Sequence, residues 1–250
     1  MTDRKERMAE EKKRLALLVD GYVKDLFATG MLLQRLEYDV YIVNSAEDAL
    51  QLMETAMPAL VMTELSLPRM SGLELLIRIK QEPRLKQVPV IIHTSAGEPR
   101  KEEHCLASGC AGFLKKPVEP DALYRAIQQA TEATPRNNIR VKVLLPVMVG
   151  GQAQSGGVLS TEYVSELSED GIFVRTLHPR PLKAEHPVTI MIHSIPVKLR
   201  AVVLRSHSLG VGSFREPGMG MKFIGISHTD RELIRNFIKG HLMKDIPAQG

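Results

Sequence analysis

The sequence predicts an α/β plus all-β protein: a doubly wound parallel sheet, then a small antiparallel β-barrel carrying a C-terminal helix. Three observations predict it. Up to about residue 132, short apolar runs alternate with helix-length amphipathic segments, the pattern of a parallel sheet covered on both faces. After Thr134-Pro135 the helical spacing nearly vanishes, and strand-like runs are separated by clusters such as Gly150-Gly151 and Pro179-Arg180-Pro181, as in small barrels. The charge balance changes at the same place. Residues 1–135 hold 18 Lys/Arg and 20 Asp/Glu, whereas residues 136–250 hold 15 and 9, so the net charge passes from −2 to +6.

The elements follow in order. Residues 1–13 are a charged extension. Leu15-Ala16-Leu17-Leu18-Val19 is a short apolar run ending at Asp20, and reads as a strand buried on both faces. A helix is expected over 23–36, a strand over Val40–Val43, and a helix from Ala46 to Met57 with Asn44 or Ser45 as N-cap. Ala59–Met62 is the third strand, Gly72–Lys80 a helix, Val88–Ile92 the fourth strand, Gly112–Leu114 the fifth, and Asp121–Thr131 a closing helix. The expected domain spans 14–132, with a short linker at 133–135. The second spans 136–243, with strands at Arg140–Val149, Val158–Leu167, Gly171–Thr176, Pro187–His193, Val197–Ser208 and Met219–Ile226, then a helix from Thr229 to Leu242. Residues 244–250 form a tail.

Bulk properties exclude several function classes. Of the 250 residues, 44% are hydrophobic and 25% charged, enough for two modest domains each with its own core. No apolar run reaches the ~18 residues of a membrane span, and the mixed-charge start Met1-Thr2-Asp3-Arg4-Lys5-Glu6-Arg7 leads into no signal-peptide core. A cytoplasmic location is therefore expected. Cys105 and Cys110 fit a reducing compartment and have no metal-site spacing. The histidines at 178, 186, 193, 207, 228 and 241 match no zinc pattern, so no metal site is expected. Trp is absent, and Tyr and Phe number only five and six, little material for stacking single-stranded bases. No helix-turn-helix follows the first domain, so DNA binding is not expected. No Ser-His-Asp set or phosphate loop is evident, and the protein is not expected to be an enzyme. The apolar stripe Leu233, Ile234, Phe237, Ile238 and Leu242 reads as a helix face packed on the barrel, with a partner or homodimer surface as the alternative.

At its strand ends the first domain resembles a response-regulator receiver. The signals are Val19-Asp20, Glu64-Leu65-Ser66-Leu67-Pro68-Arg69-Met70-Ser71-Gly72, Thr94, and Phe113-Leu114-Lys115-Lys116-Pro117. The resemblance implies a flavodoxin-like five-stranded sheet with a phosphorylation site at the strand C-termini, where open α/β sheets place ligands. That site would consist of Asp20, Glu64, Thr94 and Lys116. It departs from the family twice: Glu64 stands in place of the aspartate nucleophile, and Gly21 in place of a second acidic residue. The extra methylene displaces the carboxylate by about an ångström, a misplacement that can cost roughly 100-fold, and Mg²⁺ is not expected. Three readings stay open: an inert docking module, a Glu64 that imitates a phosphorylated aspartate by pairing with Lys116, and a working phosphoacceptor.

The second domain resembles a PilZ domain. It has Arg136-x-x-x-Arg140 just before a strand, and about 26 residues later Glu166-Leu167-Ser168-Glu169-Asp170-Gly171 between two strands. Gly218-Met219-Gly220-Met221-Lys222-Phe223-Ile224-Gly225 resembles the later family strand. Arginines clamp anions and stack on purines, and guanine offers O6 and N7 to an arginine fork. The resemblance implies cyclic di-GMP as ligand. Arg136 and Arg140 would hold phosphate and guanine, with Glu166, Ser168 and Gly171 as the opposite wall and Asn137 and Asn138 facing solvent. Glu166 replaces the family's Asp or Asn. The function expected is a signalling receptor passing this signal to an unidentified protein partner. The alternatives are a ligand-free protein–protein adaptor with both domains degenerate, and, from the charge alone, a nucleic-acid binder.

Overall fold

The computed structural model describes residues 14–95, 99–150, 162–207 and 217–246. The expected charged extension, residues 158–161 of the expected second barrel strand, and the last four residues of the tail lie outside these. The chain divides into two compact units, one ending at Asn137 and the other spanning Asn138–Lys244.

In the first unit, β1 (Arg14–Val19), β2 (Tyr38–Val43), β3 (Leu60–Thr63), β4 (Val90–Thr94) and β5 (Gly112–Lys115) form a parallel sheet in the order β2-β1-β3-β4-β5. All of β3 and β4 is buried, which explains why they read as continuous apolar runs. Between the strands run α1 (Val23–Arg35), α2 (Ala46–Thr55), α3 (Gly72–Gln81), α4 (Pro99–Ala107) and α5 (Pro120–Thr131). Of the two N-cap candidates for α2 it is Ser45, whose Oγ accepts from the Asp48 N–H at 3.1 Å. Helix α3 starts on a capping box: the Glu74 N–H donates to Ser71 Oγ at 3.2 Å and the Ser71 N–H to Glu74 Oε2 at 2.8 Å. One element, α4, was not expected from the sequence. Five of the nine residues of its segment Pro-Arg-Lys-Glu-Glu-His-Cys-Leu-Ala are charged or polar, and among its described side chains only Cys105 is buried, so it carries no apolar stripe for periodicity to detect.

In the second unit, β6 (Val141–Val149), β7 (Glu162–Leu167), β8 (Gly171–Arg175), β9 (Glu185–Ile192), β10 (Ile195–His207) and β11 (Gly218–Gly225) close a barrel in the order β10-β11-β8-β7-β6-β9. Its pairings are antiparallel. Val164, Val174, Val188, Ile190, Val197, Ala201, Val203 and Met219 point inward and are fully buried or nearly so. Helix α6 (His228–Met243) begins at Ser227, whose Oγ accepts from the Asp230 N–H at 3.0 Å. Its Ile234, Ile238 and Leu242 are buried, as expected of a helix packed on the barrel.

Because Ile234 is fully buried, Ile234→Ala is expected to destabilise the barrel by about 3 kcal/mol. Urea denaturation followed by circular dichroism measures this.

Candidate functional site

The first unit gathers four polar side chains at the C-terminal ends of its strands. Asp20 follows β1, Glu64 follows β3, Thr94 ends β4 and Lys116 follows β5. Backbone bonds fix them: the Glu64 N–H donates to Val19 O at 2.8 Å and the Lys116 N–H to Thr94 O at 3.0 Å. Both Glu64 oxygens are engaged. Oε1 accepts from the N–H groups of Leu65 and Ser66, at 2.7 and 3.2 Å, and from the Thr94 hydroxyl. Oε2 receives Lys116 Nζ at 2.8 Å. The same ammonium pairs with Asp20 Oδ2, while Asp20 Oδ1 accepts from the Tyr22 N–H at 2.9 Å. The side chains of Asp20, Glu64 and Lys116 are only 2%, 8% and 8% exposed.

Burial alone would push the Glu64 carboxyl up. The hydrogen bonds from Lys116 and Thr94 outweigh it and hold the group below the usual carboxylate range. Burial likewise acts to lower Lys116, and Asp20 and Glu64 together hold it above the usual lysine range. The donor set does not fit Mg²⁺. Gly21 supplies no side-chain oxygen, and the Lys116 ammonium already pairs with both carboxylates. Among the described residues no group of three or more His, Cys, Asp or Glu is placed to hold a metal.

The second unit has a cavity of about 220 Å³ on the barrel wall, lined among others by Arg140, Glu166, Ser168 and Gly171. Four of the five residues expected from the sequence thus come together. The fifth, Arg136, belongs to the first unit, where its N–H donates to Gln128 Oε1 of α5 at 3.1 Å. Arg140 Nη1 lies 3.6 Å from Glu166 Oε2. The turn from Ser168 to Gly171 is closed by the Ser168 N–H and hydroxyl, which both donate to Gly171 O, at 2.9 and 3.1 Å. Only glycine fits at 171, since a Cβ there would stand 2.3 Å from Met221 O.

The outer side of this turn is clamped. Arg235 on α6 forks onto Glu169, with Nε–Oε1 at 3.0 Å and Nη2–Oε2 at 2.8 Å. Arg231, one turn earlier, donates to Glu169 O at 3.1 Å and reaches Asp170 Oδ1 at 3.4 Å. Asn138 was expected to face solvent, but its Nδ2 donates to Asp170 Oδ2. The acidic pair would otherwise leave two repelling charges beside the site, and these contacts explain its tolerance there. Sequence reasoning missed Arg231 and Arg235. Their i, i+4 spacing on α6 was the available signal. It also missed Arg205 and Lys222, which line the cavity.

A parallel five-stranded sheet with this strand-end cluster, joined to a closed barrel with this arginine-and-turn cavity, defines a receiver coupled to a nucleotide-binding barrel. Comparison with known proteins gives the families. The receiver-domain model of response regulators matches residues 16–128, and the PilZ domain model matches residues 134–240. The chain is similar to a two-component response regulator of Oryza sativa subsp. indica, with 33% identity over 110 residues, which is 44% of this chain and 84% of that protein. A second such regulator from Oryza sativa subsp. japonica is 35% identical over 112 residues, covering 44% and 66%. Among solved structures, the signal receiver domain of an HD domain-containing protein from Pseudomonas fluorescens Pf-5 is 30% identical. It covers 48% of this chain and 96% of that one, with a TM-score of 0.45. The chain belongs to the response regulators, and its receiver domain is followed by a PilZ domain. Both are non-catalytic signalling or binding domains, PilZ being the class that binds cyclic di-GMP. Among the described residues, no helix is long and apolar enough to cross a membrane.

Glu64→Gln should cost about 2 kcal/mol of stability at pH 7, the scale of hydrogen bonds to a charged group. Because the folded-state carboxyl is depressed, its contribution is complete above the unfolded value near 4.3 and is lost as pH falls through the folded value. The gap between wild type and variant should therefore narrow steadily below about pH 4, read by thermal melts across that range.

Proposed function

We propose that the barrel binds cyclic di-GMP in the cavity of Arg140, Glu166, Ser168 and Gly171, and that the bound state is passed to a protein partner. The observation that carries this reading is the convergence of Arg140 and the Glu166–Gly171 turn on one cavity. Arg140 supplies a forked cation for phosphate or for the O6/N7 edge of guanine. Glu166 accepts from guanine N1–H and N2–H₂, in place of its contact with Arg140. Gly171 lets the ligand approach the backbone. Arg136, four residues before Arg140, completes the clamp. The segment between the two arginines directly follows the receiver, so a ligand that orders it favours one receiver–barrel arrangement over others, and only such differential binding shifts the balance. The protein works in the cytoplasm, where this second messenger is found.

In this reading the receiver takes no phosphate. The Glu64 lone pairs already serve Thr94, Lys116 and two backbone N–H groups. The receiver acts as a docking or regulatory module held in one state. One observation favours the ligand-free adaptor instead: Arg140 is already within ion-pair distance of Glu166.

Calorimetric titration with cyclic di-GMP separates the two. The expected result is binding by wild type that weakens at least about tenfold in Arg140→Ala and in Arg136→Ala. No heat at about 100 μM ligand supports the adaptor, and unchanged affinity in both variants shows the site is misplaced. Incubation with a small-molecule phosphodonor and Mg²⁺, read by intact mass, should leave wild type unmodified. The double substitution Gly21→Asp with Glu64→Asp should gain one phosphoryl group, because a Cβ at 21 meets nothing nearer than Pro68 Cδ at 3.8 Å.

A further inference from the structure

The cavity carries two cations that no motif announces. Arg205 lies on β10 and Lys222 on β11, and both line it. In a regular strand Arg205 would face the barrel interior. Ala201 and Val203 are fully buried, and residue 205 is next in that alternating series. A β-bulge prevents this. Val203 pairs with Met221 and Arg205 with Gly220, leaving Leu204 as an extra residue on β10. The side chains of Leu204 and Arg205 are both exposed. Bulges re-aim side chains in this way.

The facing strand is shaped to receive it. On β11, Met219, Met221 and Phe223 are buried, so Gly220 and Lys222 share the outward face. A Cβ on Gly220 would stand 3.3 Å from Arg205 Nε and 3.7 Å from its Nη2. The missing side chain thus lets the guanidinium group lie across β11. Lys222 follows two residues on and pairs in register with Gly171, the end of the clamped turn.

Charge supplies the second argument. Arg140 has Glu166 at 3.6 Å, and the acidic pair at 169 and 170 is held from outside by Arg231 and Arg235. Among the described residues, neither the Arg205 nor the Lys222 side chain has a hydrogen-bond or ion-pair partner. Two cations without a described counter-charge on one cavity wall repel each other, and an anion placed between them removes that cost. A base edge offers only partial charges, whereas a phosphodiester offers a full one with two acceptor oxygens.

We infer that Arg205 and Lys222 form a phosphodiester subsite on the β10–β11 wall, opposite Arg140, and fix which way a cyclic dinucleotide lies in the cavity. This rests on the reading that the cavity takes such a ligand. Arg205 grips the phosphodiester oxygens through its fork, and Lys222 adds a point charge at the end next to Gly171. The Glu166 carboxylate remains for the base.

The full-length protein is titrated with cyclic di-GMP at low and moderate salt beside Arg205→Gln, Lys222→Gln, their double variant, and Arg200→Gln. The last removes an equal charge from β10 outside the cavity lining, where Arg200 pairs with Glu185. Each single cavity variant should raise Kd by roughly tenfold, in line with a lost charged hydrogen bond. The double variant should bind more weakly than either and lose much of the wild-type salt dependence. Arg200→Gln should bind as wild type, and circular dichroism should show all variants folded, since these side chains are exposed. Wild-type affinity in both single variants overturns the subsite and leaves the cyclic di-GMP reading intact. Equal weakening by Arg200→Gln also overturns it, as an effect of net charge. Failure of wild type to bind overturns both.

Discussion

The ammonium group of Lys116 lies between Asp20 and Glu64, and the arrangement of the receiver's strand ends depends on it. It joins the loop after β5 to those after β1 and β3, and the Thr94 hydroxyl adds β4 to the same cluster. Two buried carboxylates in one polar pocket repel each other unless a cation stands between them. In a receiver that takes phosphate, a metal ion would share that work. Here the Lys116 side chain stands between the two carboxylates. Glu64 matters for the same reason: its carboxylate reaches Lys116 and Thr94 together.

The barrel solves a different problem with backbone geometry. Its interior is filled by inward-facing apolar residues, so the ligand site has to lie on its wall. A regular wall would alternate side chains too strictly to gather Arg140, Glu166, Arg205 and Lys222 on one patch. Register shifts occur in β6 between Lys142 and Leu145, in β7 between Val164 and Glu166, and in β10 between Val203 and Arg205. Two of these shifts sit directly beside cavity residues. Helix α6 then fixes the turn from outside through Arg231 and Arg235, so the helix that caps the barrel also holds one wall of the site. This is a physical route by which occupancy of the cavity and the position of α6 can influence one another.

Much of both folds was legible because apolar pattern and strand burial correspond. β3 and β4 are buried on both faces and read as unbroken apolar runs. β8 and β9 are half-buried and alternate. The serine cap of α2 was also readable, since a short hydroxyl side chain before an apolar-periodic run has a specific partner to satisfy. Helix α4 was not, because among its described side chains only Cys105 is fully buried and its residues follow charge rather than periodicity. The four receiver residues were legible through resemblance and order along the chain. The Glu64–Lys116 pair stood among the open readings, but the bonds that tie Asp20 and Thr94 to it did not, because they depend on distances between loops that are far apart in sequence.

The sequence alone determined the division into an α/β and an all-β part, most of the element types, the strand-end cluster of Asp20, Glu64, Thr94 and Lys116, and the nearness of Arg140 to the Glu166–Gly171 turn. These are local patterns or motifs at readable spacing. Only the tertiary structure decided that Asn138 bonds to Asp170, that Glu169 and Asp170 are held by α6, and that Arg205 points out of the barrel. The physical reason is register. A bulge exists only relative to a partner strand, and one extra residue reverses the direction of every side chain beyond it. Whether Arg205 points into the core or onto the cavity wall is therefore written in the pairing of β10 with β11, and not in either strand alone.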